Sequence, residues 1–474
     1  MKTGDQIVQE LPWRWAVQGR IFIIGGLGYL FDAWDVALNG FLTPLLGTEF
    51  DLSVGERSLV ATANLIGMAA GAVAWGSVAD RVGRKKAFST TLLVFAVFSV
   101  LAAFSPAYGS FLLLRFLAGV GLGGCIPVDY ALISEFSPRR YRGRILTALD
   151  LWWPIGGTLC GLASTVMLDL GGNWRWMLGA MALPALLLFW VRRGVPESPI
   201  YLTAKGREAE ARTVIDALVA RTGTPAQPYA VPAPPPEEAS PKRGLTETFA
   251  QLGRVWTFNP RITSVAWALF VTIMLVYYAA LSWMPSILAD EGYSNTAAFT
   301  GTTLMSAVGI AGVAASAWLV DVVGRKWLIG VSAPLASAAL VLFALLLGTP
   351  TAAMVALGVF GFTIQLTIPV LYAYVAELYP TSMRATGFGS ASAASRVATG
   401  FAPLLFGTLM WPVLGLPLTF TVLGAVAALA VGWMAVAAPE TKGRELDHVG
   451  ADPSSATAAD RSAGPSAEAA RPAV

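Results

Sequence analysis

Charged side chains are scarce in this sequence: they make up 13% of its 474 residues, about half the share usual in soluble domains. So apolar a chain has more greasy surface than soluble cores can bury, which excludes a water-soluble protein of two or three domains. Histidine is nearly absent. The one copy, His448, lies in the C-terminal tail, so no imidazole is available inside an apolar segment. That argues against an enzyme, against a metal site and against a cofactor. The two cysteines, Cys125 and Cys160, both fall within apolar stretches and read as small hydrophobes rather than a disulfide or metal pair. A cleavable signal peptide is missing: Met1–Trp15 is mixed polar, and the first apolar segment is of full spanning length. No G-x-x-x-x-G-K-[ST] occurs, which excludes the usual P-loop. The G-x-G-x-x-G match from Gly119 to Gly124 lies inside an apolar helix with no strand before it. It reads as close helix packing, like Gly67-x-x-x-Gly71. A net charge of +3 is too small to imply a nucleic-acid partner.

What the chain has in quantity is hydrocarbon and glycine. Hydrophobic residues make up 55%, and 48 glycines suit helices that pack closely in lipid. Twelve apolar segments, each near the ~20 residues a bilayer requires, run over approximately 20–46, 58–79, 87–108, 110–133, 144–167, 174–191, 262–289, 297–320, 326–347, 351–376, 385–408 and 416–437. The expected fold is an all-α polytopic membrane protein of two six-helix halves. Its parts are an N-terminus 1–19, a first bundle 20–191, a central loop 192–261, a second bundle 262–437 and a tail 438–474. Within the loop Pro199–Arg221 has helical composition, whereas Thr222–Pro241 reads as a proline-rich linker; the tail from about Gly450 reads as disordered. Basic residues gather after even-numbered spans (Arg84, Lys85, Arg142, Arg325, Lys326, Arg384), while odd-numbered loops hold almost none. The positive-inside rule then places both termini and the central loop in the cytoplasm.

An internal repeat sets the plan. Asp80-x-x-Gly83-Arg84-Lys85 recurs as Asp321-x-x-Gly324-Arg325-Lys326, and Glu135-x-x-Pro138-x-x-x-Arg142 as Glu377-x-x-Pro380-x-x-x-Arg384, at offsets of 241 and 242 residues. Parallel six-helix repeats with a site at their interface are a transporter design. The segment Gly76–Lys86 resembles the loop signature of the major facilitator superfamily. Arg115-Phe-Leu-Ala-Gly119-Val-Gly121, Pro196-Glu197-Ser198-Pro199 and Pro439-Glu440-Thr441-Lys442-Gly443-Arg444 are similar to sugar-porter signatures within it. The resemblance spans about residues 20–446 and implies alternating access by rocking of the two halves. It also implies a conformational gate at the inner helix ends, built from Asp80, Gly83, Arg84, Glu135 and Arg142 in the first half and from Asp321, Gly324, Arg325, Glu377 and Arg384 in the second.

Six charges fall inside the spans: Asp32, Asp35, Arg115, Asp129, Asp150 and Arg396. Each costs at least ~2.5–3.5 kcal/mol to insert and is by default functional. Asp32 and Asp35, three residues apart, share one face of span one, and mutual repulsion makes one of them a natural proton acceptor. The resemblance implies Arg115 of span four as counter-charge, so the proton-coupling set is Asp35 first, Asp32 second, and Arg115. A permanent structural ion pair is the alternative.

The chain departs from sugar porters where a hexose would bind. Asp150 stands where that group holds a glutamine, and Val276–Pro285 lacks its paired amides. Gly123–Asp129, Ala376–Gly387 and Ser395-Arg396 instead resemble the nicotinate-transporter and synaptic-vesicle-glycoprotein branch. Asp32-x-x-Asp35 is similar to a motif of aromatic-acid/proton symporters. These branches carry small carboxylates, which Arg396 suits as a bidentate clamp. Candidate substrate contacts are therefore Arg396, Asp150, Asp129, Trp152, Trp153, Tyr277, Tyr278, Trp283 and Gln365, with ordinary packing or interfacial anchoring as the alternative for the aromatics. The expected function is proton-coupled import of a small organic acid across a bacterial inner membrane, by a monomer whose partners are substrate, protons and lipid. Competing readings are a sugar or polyol facilitator, a cation exporter using Asp150 and Asp129, and a sensor that no longer transports.

Overall fold

A computed structural model describes residues 2–138, 140, 142–231, 245–380 and 383–442; the side chains of Asp80, Asp129 and Arg142, and the tail from Gly443, lie outside the described residues. The described chain is almost wholly helical. Eight of the twelve spans are continuous or nearly so. They are span one (Arg20–Glu49), two (Val54–Val82), three (Arg84–Ala102), seven (Pro260–Asp290), eight (Asn295–Val322), nine (Arg325–Leu345), ten (Pro350–Glu377) and twelve (Trp411–Ala437). Ser53 with Glu56 forms a capping box at the start of span two, and Asn259 and Ser294 cap spans seven and eight; each side chain satisfies amide donors that have no partner inside the helix.

The other four spans are composite. Span six runs through Trp174–Gly179, a 3-10 turn at Ala180–Ala182 and Leu183–Gly194; span eleven is Arg384–Leu405 continued by a π-helical turn, Phe406–Met410. Spans four and five break where the sequence reading expected unbroken helices. Span four is Tyr108–Leu122 and Cys125–Phe136, parted at Gly123-Gly124; span five is Arg142–Leu149 and Trp152–Asp169, parted at Asp150-Leu151. Glycine's conformational cost weakens the first; the second leaves Asp150 on a break in the middle of the bundle.

Helix pairing repeats between the halves. Span one packs on five as seven packs on eleven, two on four as eight on ten, three on four as nine on ten, and three on six as nine on twelve. Across the interface, two meets eleven, eight meets five, and one meets seven, as a pseudo-two-fold axis requires.

In the central loop, Pro199–Ala204 and Glu208–Thr222 are helical where composition pointed to helix over 199–221. Composition did not reveal the helices Gly4–Glu10 and Leu245–Phe258 or the parallel pairing of Lys2-Thr3 with Tyr229-Ala230. The described parts of both terminal segments and of the loop lie on one face of the bundle, here the terminal face; the opposite end is the distal face.

Candidate functional site

Span one carries the densest polar cluster. Asp35 and Arg115 are each wholly buried and form a two-pronged ion pair, with Nη1–Oδ1 at 2.8 Å and Nη2–Oδ2 at 3.0 Å. Asn39, one turn beyond Asp35, accepts from Arg115 Nη2 at 2.8 Å and donates to Asn64 Oδ1 at 3.0 Å; Asn64 donates to Asp35 Oδ2 at 3.1 Å. Ser99 closes the ring, donating to Asp35 Oδ1 at 3.3 Å. Only Arg115 Nε lacks an acceptor. Four spans thus converge on one ion pair whose remaining lone pairs are nearly all satisfied, the condition under which a buried pair is tolerated. Asn39, Asn64 and Ser99 were missed from sequence. Their one signal was that Asn39 lies four residues after Asp35 on the same helix face.

Asn64 reaches this ring because spans two and four touch backbone to backbone. A Cβ on Gly67 or Gly71 would run into the carbonyls of Phe116 or Val120, and one on Gly119 or Gly123 into those of Asn64 or Met68. The glycine stripe is packing, as read from sequence.

Asp32 differs from Asp35. It is equally buried, and outside the ring of partners that surrounds Asp35. Cys125 faces it, and Asp35, Arg396 and Tyr278 lie within electrostatic reach. Arg396 lines a cavity of about 40 Å³ between the halves, with Met68 of span two, Phe270 and Tyr278 of span seven, Tyr372 of span ten, and Ser395. Its guanidinium makes no hydrogen bond or ion pair to any described residue. Tyr372 stacks on Phe270 (centroids 5.5 Å apart, planes at 17°) and senses both Arg396 and Asp150. Tyr372 and Phe270 were not singled out from sequence.

The other candidates divide into two groups. Trp153, Tyr277, Tyr278 and Gln365 come together: Tyr277 Oη accepts from Trp153 Nε1 at 2.7 Å and from Gln365 Nε2 at 3.1 Å, and Tyr278 sits edge-on to Trp153. This ties span five to seven at mid-height. Trp152 instead turns toward Phe22 and covers Gly26. Trp283 does not line the cavity: it packs on Phe406 and Trp411 near the distal end, with its Nε1 donating to the Pro403 carbonyl.

At the terminal face each half carries its own brace. Arg84 meets Glu135 at 3.5 Å, and Arg325 meets Glu377 at 3.0 Å and Asp321 at 3.2 Å; Arg384 donates to the Ala376 carbonyl. Gly83 and Gly324, at φ of 101° and 104°, adopt a conformation open to glycine and present helix N-termini. Glu197 accepts from the Lys85 amide, and Glu440 from those of Arg325 and Lys326. Burial opposes ionisation of Glu440, but four backbone donors (Lys442, Arg325, Thr441, Lys326) outweigh it and hold its carboxyl below the ordinary glutamate range. These two glutamates, 243 residues apart, extend the internal repeat.

The polar contacts that join the halves, among described residues, lie at mid-height or at the distal end. There Arg57 Nη1 donates to both Asp290 oxygens at 3.0 Å, and Thr296 to Asp169 at 3.0 Å, while Gly40 of span one abuts the Leu281 carbonyl of span seven. Near the terminal face the first half carries a groove of about 1010 Å³ beside the N-terminal segment, lined by Leu11, Trp13, Phe22, Arg140, Ile145 and Ala148 among others. Among the described residues, the contacts between the halves thus close the distal end.

The family model described as "Sugar (and other) transporter" matches residues 22–452. The niacin transporter NiaP of Acinetobacter baylyi is 31% identical over 434 residues, covering 90% of this chain and 94% of the relative. The gallate transporter of Pseudomonas putida is 31% identical over 425 residues, covering 88% and 91%. Among solved structures, the inward-open conformation of the Escherichia coli xylose transporter XylE superposes with a TM-score of 0.73 at 19% identity, covering 91% of this chain and 99% of that one.

Proposed function

The chain belongs to the sugar (and other) transporter family as a major-facilitator membrane transporter, and on that premise we propose that it imports a small aromatic carboxylate together with protons by alternating access. The observation that carries this reading is Arg396: a guanidinium on the cavity between the halves with no protein group on it. A half-buried cation within a span is costly without a partner, and a planar carboxylate is the ligand its fork fits best. Tyr278, Tyr372 and Phe270 line the same cavity, and aromatic walls suit an aromatic body. Niacin and gallate, named for the two relatives, are both such carboxylates. The Asp35–Arg115 pair supplies the proton step: protonating Asp35 releases Arg115 and biases the helix arrangement around it.

In this conformation the cavity has room for little more than a water, so a ring enters only when the halves move. The basic residues favour a cytoplasmic terminal face; in that orientation both termini lie on the cytoplasmic side of a bacterial inner membrane and the distal contacts close the outer side.

The test is uptake of labelled nicotinate, gallate and benzoate into proteoliposomes, with and without an inward proton gradient. Accumulation is expected only with the gradient and is abolished by a protonophore. Asp35→Asn keeps counterflow and loses accumulation. Arg396→Ala weakens carboxylate affinity by about 10–100-fold, the worth of a charge-assisted two-pronged contact. Normal accumulation by Asp35→Asn, or unchanged affinity in Arg396→Ala, overturns the corresponding assignment.

A further inference from the structure

The groove beside the N-terminal segment is built from residues that have no share in the transport cycle proposed above. Its volume of about 1010 Å³ stands at the top of the ~300–1,000 Å³ range of small-ligand clefts, far more than one aromatic ring fills. One wall is the stretch from Leu11 to Trp15, where the Trp13 and Trp15 rings meet edge-on with centroids 5.6 Å apart. That stretch is fixed in place. Arg14 Nε donates to the Thr222 carbonyl at 3.4 Å, and Gln18 accepts from the Arg14 amide at 3.0 Å and donates to the Pro12 carbonyl at 3.3 Å. The other side is formed by Phe22 of span one and by Ile145 and Ala148 of span five. The hollow is therefore preformed and mainly apolar, yet Trp15 remains 67% exposed. An indole bared a few residues ahead of a span sits at the headgroup level of a bilayer. Among the described residues of the lining, Glu10 and Arg140 carry charge. Lys2 pairs with Glu10, so the acid does not offset Arg140, and the exposed Arg14 and Arg20 add positive charge on either side of Trp15 in the chain.

We propose that this groove binds an anionic phospholipid from the leaflet at the terminal face, with its phosphate on Arg140 and an acyl chain lying between Trp13, Trp15 and Phe22 and the Ile145–Ala148 face of span five. Three observations select that occupant. Apolar walls of this extent suit a hydrocarbon chain rather than a small polar solute. A lining whose net charge is positive favours an anionic headgroup over a zwitterionic or cationic one. The bared Trp15 and the first turns of spans one and five put the groove at the depth of lipid headgroups, which makes the bilayer the source. The site also has something to hold together. Ile145 and Ala148 belong to the short helix Arg142–Leu149, which the break at Asp150-Leu151 separates from the rest of span five. A lipid in the groove fastens that helix to span one and to the N-terminal segment, whichever substrate is carried.

The test is native mass spectrometry of the full-length protein, stripped of lipid in a neutral detergent and titrated with phosphatidylglycerol, with phosphatidylcholine of equal chain length, or with glycerol phosphate. One copy of phosphatidylglycerol is expected to bind about 10–100-fold more tightly than phosphatidylcholine, the worth of a charge-assisted contact, and to raise the melting temperature. Glycerol phosphate should neither compete with it nor stabilise the protein. Arg140→Gln brings the two lipids close to equal affinity, whereas Arg140→Lys keeps most of the difference. Ala148→Trp, which fills the groove, weakens both lipids several-fold; Trp15→Ala, at an exposed position with little bearing on folding, does the same without blocking the space. An unchanged lipid preference in Arg140→Gln overturns the inference. So does binding of phosphatidylglycerol in many equivalent copies with no first tight one, which is the behaviour of an ordinary lipid annulus. Glycerol phosphate that competes as well as the lipid makes the groove a site for a soluble anion and overturns it too.

Discussion

Removing the guanidinium of Arg57 should let the distal face open. Arg57 begins span two and Asp290 ends span seven, so their contact joins the two halves. One nitrogen serves both carboxylate oxygens at 3.0 Å, with the side chains 16% and 34% exposed. At an effective dielectric near 20 the gross attraction is about 5 kcal/mol. Desolvation and loss of rotamer freedom remove most of it. Fully exposed pairs net about 0.2–1 kcal/mol, and this half-buried, doubly accepting pair should net about 1–2 kcal/mol. Because the contact exists only when the distal face is closed, that energy belongs wholly to the closed state. Arg57→Ala therefore raises the ratio of distally open to distally closed molecules by about 5–30-fold. Spin labels on Thr48→Cys and Glu291→Cys, exposed positions on opposite halves, report the change as a longer-distance population, free of interference from the two native cysteines, both buried. Exchanging the charges (Arg57→Asp with Asp290→Arg) should restore the short distance. An unchanged distance distribution in Arg57→Ala would show that helix packing at Gly40 and Leu281 closes this face without help from the pair.

Two further outcomes follow from local geometry. Gly119→Leu drives a side chain into the Asn64 carbonyl, prying span four from span two; overpacking of about 1–3 kcal/mol or more lowers the melting temperature of the detergent-purified protein and disorders the Asp35 ring, whereas Gly109→Ala, with open space around it, leaves both intact. Glu440→Gln weakens the cap on span nine by about 1 kcal/mol. Since the native carboxyl is held below its ordinary value of 4.5, its contribution is complete above pH 4.5 and fades as pH falls through the lowered value. The melting-temperature gap between wild type and variant should therefore be widest at neutral pH and narrow below 4.5; a gap that widens on acidification refutes the cap assignment.

Hydropathy made the twelve spans legible, because a bilayer demands uninterrupted apolar length, and the 241–242-residue offset made the halves legible. The residues that complete the site were not. Asn39, Asn64 and Ser99 are cheap enough in an apolar helix to pass as packing, and only their convergence on Asp35 gives them meaning. Arg57 counted as a stray charge in a loop expected to be poor in bases, because its partner lies 233 residues away. Trp283, seven residues from the distal end of a site helix, reads as a ring wall in sequence, and its packing on Phe406 and Trp411 becomes visible only in three dimensions.

The positions of the ion pairs explain how a chain so poor in charge can still move between two states. Braces such as Arg84–Glu135 and Arg325–Glu377 tie helices within a half, so they survive a rigid-body rotation of one half against the other. Arg57–Asp290 crosses the interface and cannot survive it. Mid-height contacts between Trp153, Tyr277 and Gln365 are neutral hydrogen bonds, each worth only about 1 kcal/mol net, and are readily exchanged as spans five and seven slide. The strong Asp35–Arg115 pair lies inside the first half and is not broken by rocking itself; in the proposed cycle it is broken by a proton. Conformational change and protonation would then act on different bonds.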